Sequence, residues 1–126
     1  MDKDNFEIKN SKCIVIYLPK FVNFETFSKY LIDAFTLSEK LNRMPIILNF
    51  DNIFINIKIS DIVILFNNNK IFNTSQAKLT ELALIYNGKN HNEIIDMIEM
   101  SLKNIGFIKV KKFKTLDEAL NWISEN

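Results

Sequence analysis

Glycine is scarce in this chain: Gly88 and Gly106 are the only two in 126 residues. That is too few for the glycine-rich loop that cradles phosphate between a strand and a helix, so nucleotide binding through that device is excluded. Proline is equally scarce, and Pro19 and Pro45 are each expected to mark the boundary of an element. Cys13 is the one cysteine, which rules out an intrachain disulfide and points to a reducing compartment. Its apolar, β-rich surroundings favour a buried, inert thiol over a nucleophile. His91 is the one histidine, so a Ser-His-acid triad could form only around it. As a metal ligand or general base it would need convergent partners, and none stands at a recognisable spacing. The expected role is a solvated loop side chain in the run Asn87-Gly-Lys-Asn-His-Asn92, just ahead of a helix.

Excess charge of one sign is also missing. Sixteen basic side chains face fifteen acidic ones, for a formal charge of +1. This balance makes no electrostatic case for nucleic acid or for an anionic membrane surface. The longest apolar run, Ile62 to Phe66, is far too short to span a bilayer. The polar start Met1-Asp-Lys-Asp-Asn lacks the apolar core of a signal peptide. The expectation is a soluble cytoplasmic protein with no nucleic-acid partner, no membrane insertion and no cofactor.

What is present is an ordinary globular mixture, 48% apolar and 25% charged. Its length fits a single domain over residues 1–126, able to bury roughly two thirds of its unfolded surface. Asparagine is plentiful and is expected to make the turns that glycine usually makes, because it tolerates left-handed backbone angles.

Phe6 and Ile8 alternate with polar residues as a half-buried strand does, and Asn10-Ser11 fits a hairpin turn. Cys13 to Leu18 reads as a central strand covered on both faces, ended by Pro19. Asn23 opens a helix to about Arg43, with Phe27, Leu31, Ala34, Ser38 and Leu41 on one face. Ile46 to Leu48 begins the next buried strand. Residues Asp51 to Ile59 fit either a strand extension or a loop with buried anchors. Ser60 is expected to cap a helix over Asp61 to about Phe72. A strand at Leu82–Tyr86 leads to a helix from about Asn92, closed by Gly106 at its C′ position with Phe107 folding back on Leu102.

The strand Phe107–Phe113 then feeds a short helix in which Thr115 and Glu118 form a capping box. Leu116, Ala119, Leu120 and Ile123 make its apolar stripe, and Trp122 flanks that stripe at the domain rim. The order β-β-α-β-α-β-α-β-α predicts an α/β domain. Its sheet is mixed and mainly parallel, with about four or five strands and about four helices.

Two further features offer candidate chemistry. Asp51 follows a buried strand, where doubly wound sheets place their sites, but without an acidic pair after the first parallel strand it is expected to be a turn residue. Lys109, Lys111, Lys112 and Lys114 form the densest basic run. They are expected to face outward and discourage edge pairing rather than to bind nucleic acid.

The element order, together with the ending Val110-Lys-Lys-Phe-Lys-Thr-Leu-Asp-Glu-Ala-Leu-Asn-Trp-Ile123, resembles the STAS domain. That family includes the bacterial anti-sigma-factor antagonists. The resemblance implies a loop after the buried strand leading to a serine or threonine at a helix start, whose phosphorylation switches binding to a partner kinase. Only a displaced Ser60 survives from that signature, in Ile57-Lys58-Ile59-Ser60, and it is the phosphoacceptor the resemblance would imply.

The expected function is therefore a non-enzymatic regulatory domain. It would meet a protein partner or a second copy through the loop and helix around 51–66, with Asp51, Phe54, Ile57, Lys58, Ser60 and Asp61 as contact residues. The physical motive is that Ile53, Phe54, Ile55, Ile57 and Ile59 are more apolar surface than one loop easily hides. The alternative is a carrier for a lipid or other apolar small molecule, which would need an apolar pocket between the first two helices and the sheet.

Overall fold

Backbone angles that an L-residue rarely adopts open the fold. In the computed structural model, which describes residues 5–67, 80–104 and 109–124, Asn10 and Ser11 have φ of 54° and 55°. Two consecutive left-handed residues are what hairpin turns matched to strand twist require. They join β1 (Phe6–Lys9) to β2 (Cys13–Tyr17), paired antiparallel with Phe6 opposite Ile16. Three of the five left-handed non-glycine residues described are asparagines (Asn10, Asn42 and Asn52), so asparagine does take over the turn-making role of glycine.

β4 (Ile46–Asn49), β6 (Glu81–Ile85) and β7 (Lys109–Phe113) extend the sheet from β2 in parallel, giving the spatial order β1-β2-β4-β6-β7. Each connection steps one strand further in the same direction. Right-handed crossovers then place all the connecting helices on a single face. Accordingly α1 (Phe24–Lys40), α2 (Ile59–Asn67) and α3 (Asn92–Asn104) share one cluster with Ile14, Ile16, Leu48 and Leu84. The other face, with Cys13, Val15, Ile47, Ala83 and Ile85, is covered by α4 (Leu116–Ser124) through Ala119 and Ile123. Each fully buried Leu or Ile contributes about 1.5–3 kcal/mol to this two-sided core. No helix among the described residues is long and apolar enough to cross a membrane.

The helix ends follow from named side chains. Asn23 Oδ1 accepts the Thr26 N–H at 2.8 Å and starts α1 as expected. The helix stops at Lys40, short of Arg43, and the reason is Ser38. Its carbonyl accepts from both Leu41 and Arg43, and its buried hydroxyl donates to the Met44 carbonyl at 2.6 Å. That bond satisfies the one polar member of the helix's apolar face. At α4, Thr115 Oγ1 accepts the Glu118 N–H at 3.2 Å, as a cap should. Glu118 does not return a bond to the Thr115 amide; it accepts from the threonine hydroxyl instead, at 3.1 Å.

Two expectations are corrected. Ser60 does not cap α2, which begins at Ile59, and the Lys58 carbonyl accepts from Asp61 and Ile62 at its start. The stretch Asp51 to Ile59 does not extend β4; it has the buried anchors of the loop reading, Ile55 above all, but it also forms a strand of its own. It holds β5 (Phe54–Asn56), which pairs in parallel with β3 (Phe21–Asn23), a strand read from no pattern. The helix end at 68–72 and the closure at Gly106 and Phe107 lie outside the described residues.

Candidate functional site

The β3–β5 flap stands beside the carboxyl ends of β4 and β6, and the site is built between them. Past β4, the Asp51 N–H donates to Asn49 Oδ1 at 2.9 Å, and Asn52 turns the chain with φ 59°. Asp51 Oδ1 in turn accepts the Asn87 N–H at 2.8 Å, joining this turn to the loop after β6. Asp51 is thus a turn residue, as expected, with a tethering role that its sequence position did not disclose.

Tyr86 organises the second loop. Its backbone N–H continues the sheet by donating to the Phe113 carbonyl at 3.0 Å, and its buried side chain points beneath residues 87–91. The phenol oxygen accepts the His91 backbone N–H at 2.8 Å. A Cβ at position 88 would stand 2.5 Å from that oxygen, so Gly88 is needed for close approach over the ring.

His91 is not the solvated side chain expected. It is half-buried, and its Nε2 accepts the Ile55 N–H of β5 at 3.3 Å. Phe54 meets the imidazole edge-on, with centroids 5.5 Å apart at 82°. Phe54 also packs on Phe21 across the flap, at 6.3 Å and 60°. Alternation along the two short strands buries Val22 and Ile55 and turns these two phenylalanines outward, 68% and 55% exposed. Lys20 Nζ lies 5.8 Å from the Phe21 ring centre.

Two open depressions flank His91. One, of about 390 Å³, runs between Asp51–Phe54 and Tyr86–His91. The other, of about 260 Å³, is bordered by Ile55, Ile57, Ile59 and Glu93. Neither lies between α1, α2 and the sheet, where Phe27, Leu31, Phe50 and Ile62 are packed in one cluster.

The six residues expected to form a contact surface are only partly gathered. Asp51 and Phe54 line the larger depression and Ile57 borders the smaller. Lys58, Ser60 and Asp61 lie at the start of α2 and border neither; Lys58 and Ser60 are exposed. The apolar surplus of the loop is largely resolved internally. Ile55 is buried, and Ile53, Ile57 and Ile59 pack partly against the core. Phe54 alone among them is left out in solvent. Sequence reasoning missed Phe21, Tyr86 and His91 as members of this region. No local pattern marks Phe21: the segment Phe-Val-Asn between Lys20 and the helix is too short to show a period.

Elsewhere, Cys13 is buried, and desolvation pushes its thiol up, with Lys9 opposing and Glu7 adding to the shift. That disfavours the thiolate a nucleophile needs. The lysine run lies on or just after β7, an edge strand of the sheet. Phe113 at its end packs on Trp122 at 5.5 Å, which sets that tryptophan, half-buried, at the rim. Among the described residues no three His, Cys, Asp or Glu side chains cluster as a metal site requires.

Comparison with protein-family models, curated proteins and solved structures gives no match for this chain.

Proposed function

We propose that the chain is a non-enzymatic interaction domain of STAS-like fold, and that it meets a protein partner or a second copy of itself through the flap and the segment 51–66. The element order and the closing helix support the family assignment. The observation that carries the contact surface is the Phe21–Phe54 pair, two large aromatic side chains held side by side in solvent by strands whose alternate residues are buried. Aromatic side chains in that situation are the usual anchors of protein contacts. Val63 and Ile64, exposed on α2, extend the apolar character along the same segment. The non-enzymatic reading is supported by how the titratable groups beside the flap are engaged: Asp51 Oδ1 and His91 Nε2 each accept a backbone N–H.

The test pairs light scattering after size exclusion with affinity capture from the source cell, using Phe21→Ser and Phe54→Ser. Because both side chains are exposed, the variants should fold. Loss of self-association, or loss of a captured partner, is the expected result. Unchanged assembly together with unchanged capture in the double variant would refute the surface.

A further inference from the structure

We propose that His91 is a proton-operated latch on the β3–β5 flap. The Ile55 N–H points away from β3 and has the imidazole Nε2 as its acceptor, 3.3 Å away. To accept, Nε2 must carry a lone pair, so the ring proton of the neutral form sits on Nδ1. A second proton goes onto Nε2 itself. The nitrogen then becomes a donor facing another donor, and the flap loses this tie to the loop after β6.

The rest of the attachment does not pass through the imidazole. On the other side of β5, the Phe54 N–H donates to the Lys20 carbonyl at 2.7 Å. The His91 backbone is held independently by the Tyr86 phenol. The latch therefore opens one bond without dismantling the loop that carries it.

Among the described residues, the charged and titratable groups around the imidazole are of mixed sign. Asp51, from the turn after β4, and Lys89, from the loop itself, share the larger depression with it; Glu93, from α3, borders the smaller. Tyr86 stands behind it, and β5 contributes only an aromatic ring and an amide. Asp51 is already committed to the Asn87 amide through Oδ1.

Release of β5 at Ile55 would alter the presentation of Phe54 next to it. This consequence for partner contact rests on the function proposed above; the latch does not.

The experiment is nitrogen–proton correlation of the imidazole, with amide-exchange protection factors, at about pH 8 and about pH 5. At the higher pH, Nδ1 should carry the proton and Nε2 none. On going to the lower pH, the Ile55 protection factor should fall about fivefold, while that of Phe54 changes much less. His91→Gln offers a side-chain carbonyl that accepts without titrating, so Ile55 should stay equally protected at both pH values.

A proton on Nε2 at about pH 8, or an Ile55 protection factor that is level across the range, overturns the latch. These two readings are made on the parent protein and stand even if the glutamine variant fails to fold. A latch that behaves as described, alongside unchanged capture by the Phe21 and Phe54 variants, would keep the device and remove only the contact surface.

Discussion

Two strand edges are closed by side chains from one stretch of chain, with different chemistry. At the outer edge of β7, Glu99 of α3 accepts the Lys112 N–H at 2.8 Å. At the outer edge of β5, His91, one residue before α3, accepts the Ile55 N–H at 3.3 Å. An unpaired strand edge invites association, so both bonds answer the same liability. They do not answer it equally. A carboxylate makes a short, charge-assisted bond and stays an acceptor even when protonated, whereas an imidazole nitrogen stops accepting once it binds a proton. Lys109 and Lys111, both exposed, guard the β7 edge further with charge. β3 and β5 themselves hold no charged side chain, and the flap carries the exposed aromatic pair. The strong closure belongs to the main sheet, and the conditional one to the flap.

That contrast can be broken, beginning with its larger side. Glu99→Ala removes the β7 acceptor and the 3.7 Å pairing with Lys103. Urea unfolding should show a loss of about 2 kcal/mol, with Lys112 exchange accelerated. An unchanged midpoint would mean the edge needs no closure. Tyr86→Phe takes the acceptor from the His91 backbone and should cost about 1 kcal/mol. It should also lower protection at Ile55 while leaving Lys112 untouched; equal effects at both amides would contradict two independent closures.

Asp96→Asn isolates the Lys112 ammonium from its backbone, because Asp96 pairs with Nζ at 2.5 Å on the surface. The expected loss is about 0.5 kcal/mol, fading in concentrated salt. A larger, salt-independent loss would shift the credit from the backbone bond to the ion pair.

The smallest effect should have the opposite sign. Glu81, in register with Lys109, has Oε2 buried with no hydrogen-bond partner among the described residues. Burial raises its carboxyl above the ordinary range, with the Lys109 ammonium opposing. A raised folded-state value means that the folded protein holds this proton more tightly than the unfolded chain does. Stability from this group is therefore present at low pH and lost as the pH rises through the raised range. Glu81→Gln should be slightly more stable than the parent near neutrality, and thermal melts should show that advantage shrinking as the pH falls. A glutamine variant less stable at neutral pH would reveal a partner for the carboxylate and remove Glu81 as the example of an acceptor without a donor.

Much of this architecture was legible because its causes are local. Asn23 and Thr115 cap helices through a side-chain oxygen that reaches an amide three residues on, and Asn10 adopts the left-handed turn that its short amide tolerates. Continuous apolar runs at Cys13–Tyr17 and from Leu82 to Ile85 became strands covered on both faces because only helices on both sides can hide them. The site was far less legible. β3 is three residues long and gains its identity from β5, far along the chain, so no window of neighbouring residues contains the reason for it. His91 looked solvated because the group it serves, the Ile55 amide, is a backbone donor that no side-chain pattern announces. Much of the apolar surplus around Ile55 packs against the protein's own core, and no local pattern shows which of these side chains turn inward.

The sequence by itself determined the α/β class, the order of the helices and the main-sheet strands, and the places where the chain turns. These depend on periodicity, capping and backbone tolerance, which act across three or four residues. Only the tertiary structure decided that Phe21 would lie beside Phe54, that Gly88 would pass over Tyr86, and that one imidazole would close the edge of the flap. Those pairings join segments distant in the chain. Long-range packing, rather than local preference, selects which donor meets which acceptor.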